Sequence, residues 1–342
     1  MRLQVGLCPA LTEDVMSKLK TAGVNNVISF MQKDIETLAM EASISYKDLQ
    51  SIRNIIVANY AAFPLEGDLM LSEAVRSTVI ISTGISSLDK LLGGGLMAGE
   101  IMELCGGWGV GKTSLCVQLA LHCATKLGHR VLYIDPTGGV STNRLEPHLD
   151  NSIELQESAL PLSYFKVVTP DDVWGLFEVL NTMSAPSIPS TGPSSSSSKK
   201  GDEIKLVVVD SLPVLLTPVQ AGSQRHGNGI VNQVACTLKQ IASERQVAVV
   251  VVNNVVSATY DSAVNSEHHL SLKWKAALGR FWEHVPNTRL FMERVWNPDK
   301  TAKRPLSSLS DNTALMSLDV NITIWKSSRL KPASSLVSII SN

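Results

Sequence analysis

The chain has 342 residues, 44% hydrophobic and 18% charged, with a formal net charge of −1. That length accommodates about two domains, and the near-neutral balance excludes a generally basic nucleic-acid coat, leaving only a local cationic groove. No apolar run reaches the ~18 residues of a membrane span and the first residues lack the apolar centre of a signal peptide, so an intracellular protein with no membrane partner is expected.

Residues 1–60 carry apolar side chains at helical spacing: Val15, Met16, Leu19; Val27, Ile28, Phe30; Ile35, Leu38, Ala39; Leu49, Ile52, Ile55, Ile56. They predict four short helices, broken near Gly23, Lys33 and Ser45, with Thr12 capping the first. This is a small all-α N-terminal domain. Residues 61–82, which include Phe63-Pro64-Leu65-Glu66-Gly67-Asp68, read as a linker leading to a strand at 78–81. From 83 to 342 the pattern alternates β and α. Short apolar runs at Ile101–Leu104, Val131–Ile134, Lys205–Val209 and Val247–Val252 predict buried parallel strands, hence an α/β core with a mostly parallel sheet and helices on both faces. Residues 185–201, rich in serine and proline, cannot bury enough apolar surface to offset their ordering entropy and read as a disordered surface insertion. A phosphorylated or partner-binding segment is the alternative for this stretch. Cys8, Cys105, Cys116, Cys123 and Cys236 form no C-x-x-C pair and read as reduced core thiols, not a zinc site or a disulfide framework.

Gly106-Gly107-Trp108-Gly109-Val110-Gly111-Lys112-Thr113, followed by Ser114, fills every fixed position of the phosphate-loop pattern G-x-x-x-x-G-K-[ST] between a strand and a helix. Such a loop turns backbone N–H groups and a helix N-terminus toward an anion. Lys112 should reach the β and γ phosphates of a nucleoside triphosphate, and the Thr113 hydroxyl is a hard oxygen ligand suited to Mg²⁺. Asp210 ends the apolar run Leu206-Val207-Val208-Val209, where a carboxylate would organise the same ion through water. ATP and Mg²⁺ are the expected cofactors, with Lys112 and Asp210 in catalytic roles and Thr113 and Asp210 at the metal.

The segment Ile81-Ser82-Thr83-Gly84-Ile85-Ser86-Ser87-Leu88-Asp89, the run Leu91-Leu92-Gly93-Gly94-Gly95-Leu96, and the later Val131-Leu132-Tyr133-Ile134-Asp135, Val207–Ser211, Val249–Asn254 and Ala276-Ala277-Leu278-Gly279 closely resemble, in order, the RecA-like recombinases of eukaryotes and archaea. Val5–Glu13 and Lys326-Ser327-Ser328-Arg329 resemble most the D-type branch of the non-principal paralogues. The resemblance implies a RecA-like P-loop ATPase core behind a small helical domain. It also implies work in homologous recombination and break repair, single-stranded DNA as ligand, other recombinase paralogues and the principal recombinase filament as partners, and a nuclear location.

The departures from that family are informative. Active members carry a glutamate general base where this chain has Thr137, within Tyr133-Ile134-Asp135-Pro136-Thr137-Gly138. A neutral hydroxyl is no useful base at pH 7, and general bases contribute about 10²–10⁴-fold, so hydrolysis should be weak or absent unless another carboxylate substitutes. Asn254 replaces a glutamine that senses the γ phosphate, and is one methylene shorter. Arg144 aligns with an arginine that packs on adenine; an exposed helix arginine is the bland reading. Lys326 aligns near the position where a neighbouring subunit caps the nucleotide, and otherwise reads as a sheet-edge lysine.

Two loops of the family hold DNA, here about 218–229 and 256–276. Arg225, Lys273 and Lys275 are the candidate contacts, beside Trp274, which could stack on a base; ordinary polar loops are the alternative. His268 and His269 lack a third metal ligand. Ser43 stands where the family's helix-hairpin-helix has glycine, and Leu65-Glu66-Gly67-Asp68 replaces the Phe-x-x-Ala segment of self-polymerising members, so heteromeric assembly is expected. The runner-up reading is a self-sufficient DNA-dependent ATPase that catalyses strand exchange. An unrelated phosphate-loop kinase or transporter ATPase is disfavoured, since no lid, acceptor site or transporter signature is evident.

Overall fold

The computed structural model describes residues 3, 8–60, 64, 66–148, 162–184, 203–221, 224–257, 274–295 and 316–341. The chain divides into two units, Met1–Ala74 and Val75–Asn342.

In the first unit the helical periodicity yields α1 (Glu13–Thr21), α2 (Val27–Gln32), α3 (Ile35–Ala42) and α4 (Tyr46–Tyr60). Each of the first three begins on a side chain that accepts a free backbone N–H: Thr12 from Val15, Asn26 from Ser29 and Asp34 from Thr37. Leu11, Leu19, Phe30, Leu38, Leu49 and Ile52 bury their apolar faces together. Ser43 ends α3 with φ 51°, so a serine takes the left-handed conformation that glycine adopts most easily.

The segment expected to be only a linker contains α5 (Gly67–Ser77). Its Leu, Met, Ala and Glu are good helix formers, and Asp68 and Arg76 stand in the first and last turns, where they complement the helix dipole. The strand expected at 78–81 is two residues long. β1 (Ile80–Ile81) pairs antiparallel with β2 (Leu96–Met97), enclosing α6 (Ser86–Leu92). Asp89 on α6 accepts the Ser82 hydroxyl at 2.6 Å and the Thr83 N–H and hydroxyl at 2.8 and 2.7 Å, which gives Ser82-Thr83-Gly84 and Asp89 a structural role. Gly95 has φ 139°, and a Cβ there would stand 2.3 Å from Ile81 O, so only glycine fits.

The main sheet has nine strands: β3 (Ile101–Gly106), β4 (Arg130–Ile134), β5 (Phe165–Val168), β6 (Ile204–Val209), β7 (Ala248–Ser257), β8 (Trp274–Ala276), β9 (Thr288–Arg294), β10 (Met316–Ser327) and β11 (Ser334–Ser341). Its order is β11-β10-β9-β3-β7-β6-β4-β5, with β8 attached to the end of β7. The run from β5 to β9 is parallel and the β9-β10-β11 end antiparallel. The four apolar runs seen in the sequence are the central strands. They are largely apolar because helices cover both faces. The long helix α7 (Lys112–Thr125) packs on the face formed by Leu104, Tyr133, Val208 and Val250. On the opposite face, Leu132, Val207 and Val249 meet α9 (Val173–Ser184), α10 (Leu212–Gln220), α11 (Gln224–Arg245) and α12 (Arg280–Glu283), α8 (Thr142–Leu145) lying elsewhere in the chain. This is the α/β core with a mostly parallel sheet that the sequence predicts.

Two further expectations change. Within 218–229, expected as a loop, residues 218–220 end α10, which contains Pro218, and residues 224–229 begin α11. Four cysteines are buried, but Cys236 is exposed on α11. The 185–201 insertion lies outside the described residues. Among the described residues no helix is long and apolar enough to cross a membrane, and no cluster of His, Cys, Asp and Glu could hold a metal.

The sheet buries an ion pair, Glu103 with Arg289. Glu103, in the middle of β3 and fully buried, accepts Asn253 Nδ2 at 2.7 Å and Trp282 Nε1 at 2.9 Å on Oε1, while Arg289 Nε of β9 pairs with Oε2. The knot ties β3, β7, β9 and α12 together below the carboxyl end of the sheet. Asn253 Oδ1 finds no donor among the described residues.

Candidate functional site

β3 runs straight into the phosphate loop, and two of the loop's glycines, Gly106 and Gly111, are fixed by contact. At Gly106 a Cβ would meet Met292 O at 2.8 Å and Val110 Cγ2 at 2.9 Å. Gly111, with φ 92°, begins α7 as its N-cap, makes no side-chain cap bond, and would press a Cβ onto Leu318 at 2.9 Å. The first N–H groups of α7 are therefore free of any side-chain cap and turned to the loop. Lys112 Nζ donates to the loop carbonyls of Gly106 and Gly107 at 2.9 and 2.7 Å. Burial pulls its pKa down and the nearby Asp210 pushes it partly back up. A cation folded against bare carbonyls, under an uncapped helix start, suits a phosphate. Trp108 projects from the loop, 87% exposed.

Asp210 follows β6 and is buried at the face that α7 covers. Burial raises its pKa, against hydrogen bonds from the Thr113 and Tyr133 hydroxyls that lower it. The Tyr133 bond is 2.8 Å long. A carboxylate beside the Thr113 hydroxyl is a hard oxygen donor set of the kind Mg²⁺ takes together with phosphate oxygens and water. Lys112, Thr113 and Asp210 are thus brought together, as the sequence predicts.

Thr137 gives its hydroxyl proton to Asp135 Oδ1 at 2.7 Å. Asp135 also accepts the N–H of Thr137 at 3.1 Å and of Val140 at 2.7 Å. Burial pushes this carboxyl up, but the bonds from Val140, the Thr137 hydroxyl, Gly139 and the Thr137 N–H outweigh it and hold the pKa below the usual range. A carboxylate so saturated is a weak base. A Cβ on Gly139 would lie 3.1 Å from Thr137 Oγ1, 3.6 Å from Arg144 Nη1 and 3.8 Å from Thr113 Cγ2. Thr137, exposed Arg144 and Thr113 therefore converge on one spot, which sequence spacing alone does not reveal.

Asn254 lies beside Gly106 in the β3–β7 register. Strand alternation puts Asn253 with Glu103 and Asn254 on the α7 side, toward the loop. Lys326 Nζ donates to Glu283 O and Pro286 O at 2.9 and 3.1 Å, and β10 lies between β9 and β11, so it is not a sheet-edge lysine. Arg329 is structural: it donates to Glu100 Oε2 and Leu92 O at 3.1 and 2.8 Å. Of the DNA candidates, Lys275 is exposed on β8 beside Trp274. Arg225 stands in the first turn of α11, and its side chain lies outside the described residues, as do Lys273, His268 and His269. Sequence reasoning missed Tyr133 and Glu103, which read as ordinary strand positions.

Residues 1–59 match the family model described as RAD51D, N-terminal domain, and residues 75–172 the model described as Rad51. Over 292 residues, 85% of each chain, this one is 36% identical to DNA repair protein RAD51 homolog 4 of Bos taurus. Its counterpart in Mus musculus is 35% identical over 297 residues, 85% of this chain and 84% of that one. The probable DNA repair protein RAD51 homolog 4 of Dictyostelium discoideum is 26% identical over 325 residues, 86% and 89% of the two chains.

Proposed function

Because the chain belongs to the RAD51 family of RecA-like recombinases and is most like its D-type paralogues, we propose that it is the ATP-binding subunit of a recombinase-paralogue complex. Membership implies a role in DNA repair and recombination. In this reading the chain binds single-stranded DNA, assists the principal recombinase filament during homologous recombination in the nucleus, and uses MgATP chiefly as a structural ligand and switch. The helical domain spans 1–60, the connecting segment 61–82, and the ATPase core 83–342. Gly106–Ser114 and Arg144 hold the nucleotide, Thr113 and Asp210 the metal, and Arg225, Lys273 and Lys275 contact DNA phosphates.

One observation carries the reading: a complete phosphate loop, with Lys112 and Asp210 in place, faces a Thr137 whose hydroxyl is already committed to Asp135. Thr137 has no lone carboxylate to offer a water, and Asp135 is too acidic and too fully bonded to replace one. Binding is retained where proton abstraction is not.

The test measures ATP affinity and turnover for wild type, Lys112→Ala and Thr137→Glu, alone and with single-stranded DNA and a co-expressed paralogue. Wild type binds ATP and scarcely hydrolyses it. Lys112→Ala weakens binding by about two orders of magnitude, the size of a lost pair of charge-assisted hydrogen bonds. Thr137→Glu raises turnover about tenfold or more by restoring a base. Brisk hydrolysis by the wild type with DNA alone favours the self-sufficient ATPase instead.

A further inference from the structure

Tyr133 is fully buried on the α7 face of β4, and its phenol donates to Asp210 Oδ2. Its ring is held on the neighbouring strand by Phe165, with centroids 5.9 Å apart at an interplanar angle of 59°. The two strands are locked in register, Tyr133 opposite Val208 and Ile134 opposite Val209, and the Asp210 N–H donates to Ile134 O at 2.9 Å.

Packing alone does not call for that hydroxyl. A phenylalanine ring would fill the same apolar space with no polar atom to satisfy, whereas a buried O–H is unfavourable unless it is bonded. The bond it makes goes to the carboxylate that suits a metal. Thr113 also bonds Asp210, but its oxygen has a second use, because a cation at the phosphates draws on the lone pairs of a threonine in this position. Tyr133 is then the hydroxyl that can keep hold of Asp210 in both states.

We propose that Tyr133 is a positioning residue for the metal half of the site: its O–H ties down one oxygen of Asp210, leaves the other for the cation and its water, and so sets the Mg²⁺ concentration at which ATP binds. The proposal rests on the nucleotide reading above.

The test is a Mg²⁺ titration of labelled-ATP binding by the full-length chain, for wild type, Tyr133→Phe, Asp210→Asn and the double variant, with a parallel arm in EDTA and a thermal melt of each. Tyr133→Phe raises the Mg²⁺ midpoint about tenfold, the loss of one hydrogen bond to a charged group, and leaves ATP affinity in EDTA within about twofold. The double variant has the midpoint of Asp210→Asn alone, since the phenol acts only through that carboxylate. An unchanged midpoint in Tyr133→Phe overturns the proposal even if the melting temperature falls, because a purely structural phenol moves the melt and not the Mg²⁺ requirement. Additive shifts in the double variant overturn it too. Should Tyr133→Phe not fold, Phe165→Leu loosens the same ring and carries the same expectation at smaller size. Failure of the nucleotide reading looks different: the wild type shows no Mg²⁺-dependent ATP binding, or Lys112→Ala binds as it does, and the proposal falls with it.

Discussion

Asp135 and Asp210 stand a short distance apart and respond to acid in opposite senses. Asp135 has a folded pKa below its ordinary 3.8, because its hydrogen bonds outweigh its burial. Its contribution to stability is therefore present above 3.8 and is lost as pH falls through the lowered value. Asp210 has a folded pKa above 3.8, because burial outweighs its two hydroxyl partners. Its contribution is present below 3.8 and is lost as pH rises through the raised value, so at pH 7 the ionised carboxylate is a burden on the metal-free fold. Asp135→Asn should lower the melting temperature at pH 7, with a deficit that shrinks in acid. Asp210→Asn should melt at or above wild type at pH 7 without metal, with an advantage that fades in acid. Melts of both variants from pH 3 to 8 check the pair.

At the scale of elements, the phosphate loop depends on how β3 is held. Every residue of β3 is buried, and its one charge, Glu103, bonds to Asn253 on β7, Trp282 on α12 and Arg289 on β9. Glu103→Leu would leave the Arg289 guanidinium buried without its partner, and breaking such a pair costs about 3–5 kcal/mol. Replacing both, Glu103→Leu with Arg289→Met, should recover much of that loss, because the unpaired charge goes as well. Urea unfolding of the two variants separates these outcomes. The same knot accounts for the spacing of Trp282 and Arg289. The sequence pattern Ala276-Ala277-Leu278-Gly279 was legible as a family segment, but nothing in it announced that the tryptophan and arginine after it converge on one glutamate.

For the molecule as a whole, assembly is the open property. By the family resemblance, Leu65-Glu66-Gly67-Asp68 falls where self-polymerising members present Phe-x-x-Ala, with Leu65 in place of the aromatic anchor and Asp68 in place of the alanine, and Gly67 and Asp68 begin α5. An aspartate is poorly suited to a buried apolar pocket, so the purified chain alone should form no regular filaments on single-stranded DNA. Sedimentation velocity with and without DNA and ATP checks this, with a discrete hetero-oligomer expected only when a paralogue partner is added. Filaments from the chain alone would favour the strand-exchange reading.

What the sequence determined by itself was local. The phosphate loop, the four central strands, the N-terminal helices and their Thr12 cap were readable because backbone propensity, capping and hydrophobic period act within a few residues. Thr137 stood out only through the family resemblance, as a hydroxyl where active recombinases carry a glutamate. Helix α5, and the helices in place of a loop at 218–229, were not readable, because breaker residues there outweighed a helical tendency that neighbouring turns satisfy. Only the tertiary structure decided which side chains meet across strands. Tyr133 and Asp210 are 77 residues apart, and Glu103 is 179 from Trp282 and 186 from Arg289. Those meetings depend on the β9-β3-β7-β6-β4 order and its register, and strand order is set by how crossovers close over a common core, which no local period encodes.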